Sequence, residues 1–185
     1  MRRLLPLALA LLALTAAVAE TVHAAPGGAP AGAGGGRAQG PLAVGRPPPA
    51  LNLSRISGSD ETTLEGLRGR VVVLDFWATW CGPCPAVMPA LDRLHTQHHG
   101  RGLSVIGLSA ESDAAIRAHI ARVPVAYTIA RDTGGTLRSY GVRAIPTMVV
   151  LDRAGKVREI FVGVDGPAMQ RLNGLVTQLL GEPAP

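Results

Sequence analysis

The sequence predicts an α/β domain whose mixed β-sheet is flanked by helices on both faces. Strand-like apolar runs alternate with helix-spaced segments over residues 51–140, and two more strand-like runs joined by a tight turn precede a last amphipathic segment. The chain has 185 residues, 47% of them hydrophobic. This length is enough for one domain with tails.

The first elements are an edge strand, a central strand and a helix. Apolar and polar residues alternate over residues 51–56, which predicts the edge strand. Residues 71–76 form the run Val-Val-Val-Leu-Asp-Phe, which is typical of a central strand buried on both faces. Apolar residues at helix spacing then predict a helix from Cys84 to a stop at Gly100.

The pattern continues with alternating strands and helices. A strand is predicted over residues 103–108, followed by a helix capped by Ser112 or Asp113. A further strand near residues 126–130 precedes a short helix that ends at Tyr140.

The last part predicts an antiparallel hairpin and a closing helix. The hairpin strands are residues 147–151 and 157–162, and residues 152–155 form the turn. Four apolar residues lie on one face of the closing helix: Met169, Leu172, Val176 and Leu179.

Residues 1–24 predict a secretory signal peptide, because Arg2 and Arg3 precede an almost wholly apolar run. An uncleaved inner-membrane anchor is the alternative, although the run is shorter than the roughly 20 residues of a spanning helix. The chain is thus predicted to reach the periplasm, or to face it from the inner membrane. Residues 25–48 then predict an Ala/Gly/Pro-rich flexible linker. The folded domain is predicted over residues 49–181, and a C-terminal tail over residues 182–185.

Charge and cysteine content exclude two classes of protein. The formal net charge is +5, but the cations are scattered singly beyond the Arg2-Arg3 pair, so we expect no nucleic-acid partner. The chain has 2 cysteines, too few for a disulfide-stabilised scaffold. A bond between Cys81 and Cys84 closes too small a loop to brace the fold, so it should serve chemistry instead.

Cys81 and Cys84 are predicted to lie where the buried strand gives way to the first turn of a helix. Free N–H groups and the helix dipole at that end stabilise an anion, which favours a Cys81 thiolate. Cys81 is expected to be exposed, whereas Cys84, further into the helix, is expected to be shielded. This assigns Cys81 as the attacking thiol and Cys84 as the resolving thiol.

Half of a zinc site is the alternative interpretation of this motif. The chain has no third cysteine, and His95 would lie about 16 Å along the same helix from Cys84. His95 and His99 are four residues apart and could hold a metal, but such a pair more often belongs to a solvated helix end. We therefore expect no metal, and no cofactor beyond the redox-active Cys81–Cys84 disulfide.

The sequence resembles thioredoxins at three separated motifs. These are Val-Leu-Asp-Phe-Trp-Ala-Thr-Trp-Cys-Gly-Pro-Cys at residues 73–84, Pro89, and Ala-Ile-Pro-Thr at residues 144–147. The lead-in Gly-Arg-Pro-Pro at residues 45–48, an extra helix and strand, and the export signal are similar to the TlpA/ResA-type periplasmic branch. The resemblance covers residues 44–181. It implies a thioredoxin-like fold with an N-terminal strand or hairpin extension and a central βα insertion.

The resemblance also implies roles for residues around the cysteines. Pro146 matches the cis-proline that faces the disulfide in this family, and the backbone of Ile145 would pair with an extended substrate. Trp80, with Gly82 and Pro83, would form the surface that docks substrates. An ordinary strand-initiating proline is the alternative for Pro146.

Asp75 is the one charged residue in the central-strand run. Thioredoxin has a buried Asp at this place, whereas the periplasmic branch commonly has Asn there and a Glu where this chain has Val87. Burial raises the pKa of a carboxyl group, so Asp75 could take the proton of Cys84 near neutral pH. A hydrogen-bonded carboxylate without a catalytic role is the alternative.

Together these features predict an exported thiol-disulfide oxidoreductase. It would reduce disulfides of periplasmic proteins, such as those of cytochrome c maturation or copper-site cysteines, with electrons from a membrane thiol-disulfide donor. The Gly82-Pro83 dipeptide resembles thioredoxin and favours reduction. The alternatives are a thiol oxidant or isomerase, and a copper chaperone that uses the two thiolates as soft ligands.

Overall fold

The computed structural model describes residues 42–184, and six strands and four α-helices lie in this part of the chain. The strands are β1 (Leu53–Ser57), β2 (Val71–Phe76), β3 (Leu103–Ser109), β4 (Thr128–Asp132), β5 (Thr147–Leu151) and β6 (Val157–Val162). The helices are α1 (Cys84–His98), α2 (Asp113–Ile120), α3 (Thr136–Ser139) and α4 (Gly166–Gly181), with a 3₁₀ turn at His99–Arg101. The predicted signal peptide or anchor, residues 1–24, and most of the predicted linker lie outside the described residues. Over residues 42–184, no helix has the length and apolar character needed to cross a membrane.

The strands form one mixed sheet in the order β1-β4-β3-β2-β5-β6. β2, β3 and β4 run parallel, whereas β1, β5 and β6 pair antiparallel with their neighbours. β1 is an edge strand as predicted, and every residue of the central strand β2 is buried. This architecture confirms the predicted α/β class, a mixed sheet flanked by helices.

The sheet separates two hydrophobic cores. Because successive residues of a strand point to opposite faces, Val73 of β2 lies in the core shared with α1, α2 and α4, and Leu74 lies in the other core. The second face is covered by the region of α3 and by loop residues, so the long helices share one face. Cys81 and Cys84 belong to the core on the face of the long helices.

Two predicted boundaries shift for local reasons. β4 begins later than predicted because the N–H of Ala126 donates to the carboxylate of Asp92 on α1. α1 ends at His98, and Gly102, not Gly100, adopts the left-handed conformation with φ 99° that ends the following 3₁₀ turn.

Residues 42–48, assigned to the flexible linker from their composition, contact the folded domain. The N–H of Gly45 donates to the carbonyl of Val157 at 2.7 Å, and the N–H of Val157 donates to the carbonyl of Arg46 at 3.0 Å. Pro48 is buried. The ordered domain thus includes this segment, because its backbone pairs with the start of β6.

The two edge strands are irregular. The pairing of β5 with β6 shifts register at Arg158, and the pairing of β1 with β4 shifts between Arg55 and Ser57. Arg158 donates to both carboxylate oxygens of Glu182 at 2.8 and 3.2 Å. Glu182, in the predicted tail, is therefore tied to the sheet edge.

Candidate active site

Cys81 and Cys84 form a disulfide at the junction between β2 and α1. The S–S distance is 1.97 Å and the Cα atoms are 5.4 Å apart. Cys84 is the first residue of α1, and Pro83 at the N-cap makes no side-chain hydrogen bond to the helix. The N–H groups of Cys84 and Ala86 donate to the carbonyls of Cys81 and Pro83. What can stabilise a thiolate after reduction is therefore the positive end of the α1 dipole, where Cys84 begins the helix.

Both cysteines are covered, while their neighbours form the surface. The exposed fraction is 4% for Cys81 and 2% for Cys84. The expectation that Cys81 is exposed is therefore wrong for the disulfide form, because its side chain lies in the same core as that of Cys84. Trp80 is 75% exposed, and Gly82 and Pro83 are also exposed.

Asp75 is buried in β2, with 1% of its surface exposed. By strand alternation its side chain lies on the same face as Val73, which is the face of the two cysteines. Burial raises the pKa of its carboxyl group to about 7. Within residues 42–184, its Oδ1 has no hydrogen-bond partner. A carboxyl group in this state can take up or release a proton near neutral pH.

Gly107 of β3 makes room for two aromatic rings beside Asp75, its partner in register. A Cβ atom on Gly107 would lie 2.7 Å from Cδ1 of Ile129, 3.1 Å from Nε1 of Trp77 and 3.2 Å from Cε2 of Tyr127. Burial, and then the charge of Asp75, raise the pKa of Tyr127 well above its ordinary value. The packed rings keep water away from the carboxyl group of Asp75.

Glu111, which is not among the site residues predicted from the sequence, fixes the segment between β2 and Cys81. Its carboxylate accepts hydrogen bonds from the N–H and the hydroxyl of Thr79, both at 2.6 Å, and from the hydroxyl of Ser109 at 3.2 Å. Although desolvation raises the pKa of Glu111, these hydrogen bonds lower it overall. Its position after β3 was the available signal, because carboxyl ends of adjacent parallel strands meet at one edge of a sheet.

The peptide bond between Ile145 and Pro146 is cis. Pro146 is buried, Ile145 is half-buried, and the hydroxyl of Thr147 donates to the carbonyl of Ala144 at 2.7 Å. Pro146 has no N–H to donate, and none of the backbone hydrogen bonds in residues 42–184 involves Ile145. The N–H and C=O of Ile145 are therefore free to pair with an extended chain.

A groove of about 500 Å³ lies beside the active-site segment. Its lining is mostly apolar, with two charged residues, and consists of Trp77, Ala78, Trp80, Ala110, Glu111, Leu137, Val142, Arg143, Ala144 and Ile145. Trp80 and Ile145, far apart in sequence, thus line one surface.

His95 and His99 do not form the solvated helix end that the sequence predicts. His95 is only 8% exposed, because the loop after β1 covers it and brings Asp60 beside both histidines. Asp60, His95 and His99 each present one ligand atom within 4.8 Å of the others. This candidate metal-ligand set lies at the end of α1 opposite the disulfide.

Comparisons with known sequences cover most of the folded part of the chain. A family model described as Redoxin matches residues 43–179, which include Cys81, Cys84, Asp75 and Pro146. The thiol-disulfide oxidoreductase ResA of Bacillus thuringiensis is 31% identical over 124 residues, which are 66% of this chain and 71% of that protein. The thioredoxin-like protein YneN of Bacillus subtilis is 34% identical over 123 residues, with coverage of 64% and 71%.

Solved structures show the same similarity. A Chlorobium tepidum protein described as thiol:disulfide interchange protein DsbE has a TM-score of 0.68 and 31% identity, and the match covers 76% of this chain and 99% of that chain. The structure of MTB dsbF has a TM-score of 0.60 and 25% identity, with coverage of 70% and 93%. Each of these two matches covers at least 70% of this chain, so the similarity extends over most of the described fold.

Proposed function

This chain belongs to the Redoxin family, as a thioredoxin-like protein of the TlpA/ResA type, and from this premise we propose that it is an exported reductant of periplasmic protein disulfides. Its reaction class is thiol-disulfide exchange, the class named for its relatives. The observation that carries the proposal is the disulfide between Cys81 and Cys84, at the start of a helix, with the carboxyl group of Asp75 buried on the same face of the sheet.

The first step is the attack of Cys81 on a client disulfide. The Cys81 thiolate forms a bond to one client sulfur, the S–S bond of the client breaks, and the other client cysteine leaves as a thiolate that takes a proton from water. The dipole at the start of α1 stabilises the attacking thiolate. The backbone of Ile145 and the exposed ring of Trp80 hold the extended client chain.

The second step is the attack of Cys84 on the mixed disulfide. With a pKa of about 7, the Asp75 carboxyl group is ionised in roughly half of the molecules at neutral pH. The ionised form can accept the proton of the Cys84 thiol. The Cys84 thiolate then bonds to the Cys81 sulfur and releases the second client cysteine. Two electrons pass from the protein to the client, and the Cys81–Cys84 disulfide remains.

A membrane thiol-disulfide donor returns two electrons by reducing the Cys81–Cys84 disulfide, and no other cofactor enters the cycle. The proposed clients are proteins whose periplasmic cysteines must be kept reduced, those of cytochrome c maturation or of copper sites. The Gly82-Pro83 dipeptide supports the reducing direction, because it resembles thioredoxin, whose potential is about −270 mV against about −120 mV for the oxidant DsbA.

Trapping with Cys84→Ser tests the proposal. This variant should stop at the mixed disulfide, because a serine hydroxyl cannot displace the client sulfur. Periplasmic extract should then yield higher-mass bands that collapse under reductant. Cys81→Ser is the matched control and should trap nothing.

The trapped proteins decide the direction of transfer. Cytochrome-maturation or copper-site proteins support the reductant. A broad set of secreted proteins with several disulfides would instead indicate an oxidant or isomerase, as would a high potential in equilibrium with glutathione. If nothing is trapped and the reduced chain binds one Cu(I), the protein is a copper chaperone.

A further inference from the structure

We propose that Asp60, His95 and His99 bind a divalent transition-metal ion of the Zn²⁺ class. Asp60 lies in the loop between β1 and β2, His95 in the last turn of α1, and His99 in the 3₁₀ turn that follows. The fold brings these three residues together from two separate stretches of sequence. The site is independent of the exchange chemistry, because it lies at the end of α1 opposite Cys84.

The donor set and its geometry suit zinc. The three ligand atoms lie within 4.8 Å of one another, and Nε2 of His99 is 3.0 Å from Oδ1 of Asp60. A zinc ion about 2.1 Å from each ligand in a tetrahedral arrangement places those atoms roughly 3.4 Å apart. Closure around the ion therefore needs only a movement on the order of 1 Å, which the 42% exposed side chain of His99 can make. Two imidazoles and one carboxylate are donors that zinc prefers.

Burial leaves two polar atoms of the cluster without a partner. Asp60 is 7% exposed and His95 is 8% exposed. Among the described residues, neither Oδ2 of Asp60 nor Nδ1 of His95 has a hydrogen-bond partner. A buried polar atom without a partner destabilises a fold, so a ligand that engages Asp60 and His95 together is favoured.

Arg70 is the guanidinium nearest the Asp60 carboxylate, and its charge opposes a metal ion. Arg55 also faces Asp60, because its Nη1 donates to the carbonyl of Asp60 at 3.3 Å. Nη2 of Arg70 lies 3.9 Å from Oδ1 of Asp60, so the contact leaves Oδ2 open. The Arg70 guanidinium also donates to three oxygens on the other elements around it, the hydroxyl of Ser104 and the carbonyls of His99 and Leu103. These acceptors offset part of the positive charge of Arg70 and hold its guanidinium outside the triangle of ligand atoms.

Zinc binding to the oxidised full chain, without an affinity tag, tests the site by calorimetry. In the disulfide form Cys81 and Cys84 cannot act as ligands, so the titration excludes the dithiol. We expect one Zn²⁺ per chain and a rise in the unfolding temperature. The alternative is a plain hydrogen-bonded pair of Asp60 and His99, which predicts no saturable binding.

Two ligand variants and one matched control complete the test. His99→Gln and Asp60→Asn should each weaken zinc binding at least about tenfold, since changes even to outer-shell partners cost about 10 to 100-fold. His98→Gln, one position away and outside the cluster, should bind like wild type. If a ligand variant fails to fold, the site is tested in the wild type by NMR of the histidine rings. Zinc should shift the ring signals of His95 and His99 and leave those of His119 unchanged. No binding by the wild type, or binding equal in His99→Gln and wild type, would overturn the proposal.

Discussion

Replacing Asp75 by Asn should change how the stability of the oxidised protein depends on pH. Burial raises the pKa of this carboxyl group from 3.8 to about 7 in the folded protein. Between these two pH values the folded protein therefore holds a proton that the unfolded chain has released. The free energy of unfolding of the wild type consequently falls as the pH rises from about 4 to about 7, and Asp75 adds no further change above that.

The size of the effect follows from the pKa. A rise from 3.8 to about 7, at about 1.4 kcal/mol for each pKa unit, corresponds to at most about 4 kcal/mol. The asparagine variant has no proton to lose at this position. Its stability relative to wild type should therefore increase by up to about 4 kcal/mol between about pH 4 and pH 7, and then remain constant.

Urea unfolding of both oxidised proteins, at intervals from about pH 4 to about pH 8, measures this difference. Glu65→Gln is the control for removing one carboxyl group, because Glu65 is exposed, whereas Asp75 is buried. A difference between Asp75→Asn and wild type that does not vary with pH would refute the reasoning. It would mean that the Asp75 carboxyl group has the same pKa in the folded and unfolded chains.

Three further outcomes are expected at the active site. Asp75→Asn should slow the attack of Cys84 on a stable mixed disulfide, measured by stopped-flow kinetics, while the first attack by Cys81 changes little. An unchanged rate of the Cys84 step would mean that Asp75 has only a structural role. Sub-stoichiometric iodoacetamide should label Cys81 in the reduced protein, and peptide mapping that finds Cys84 instead would reverse the assigned roles. Glu111→Ala should destabilise the oxidised protein by about 1 to 3 kcal/mol in urea, because two partly buried hydrogen-bond donors of Thr79 lose their charged acceptor; an unchanged midpoint would argue against this anchoring role.

Elements with a strong local signal could be predicted from the sequence. The continuous apolar run of β2 is stable only if both faces of the strand are buried. In the structure, β2 is a fully buried strand at the centre of the sheet. Ser112 was a candidate cap, and its hydroxyl accepts the N–H of Ala115 at 3.3 Å. The cysteine pair was equally clear, because its spacing and its place after a buried strand are both local features.

Features that depend on distant contacts could not be predicted in this way. Glu111 resembles any acidic loop residue until the fold places Thr79 beside it. His95 resembles an exposed helical residue because the burying loop, with Asp60, is far away in sequence. Residues 42–48 have no apolar periodicity, so only their pairing with β6 shows that they are ordered.

The irregular sheet edges have a consequence for aggregation. A regular edge strand offers a row of unpaired backbone groups on which another chain can add a strand. Here the start of β6 is already paired with Gly45 and Arg46, while the register shifts at Arg158 and near Arg55 interrupt the two edges. A thiol-disulfide oxidoreductase acts on protein substrates, so strand addition by a substrate chain is a hazard for it. The two edges therefore disfavour strand addition, whereas the backbone N–H and C=O of Ile145 make no backbone hydrogen bond within residues 42–184.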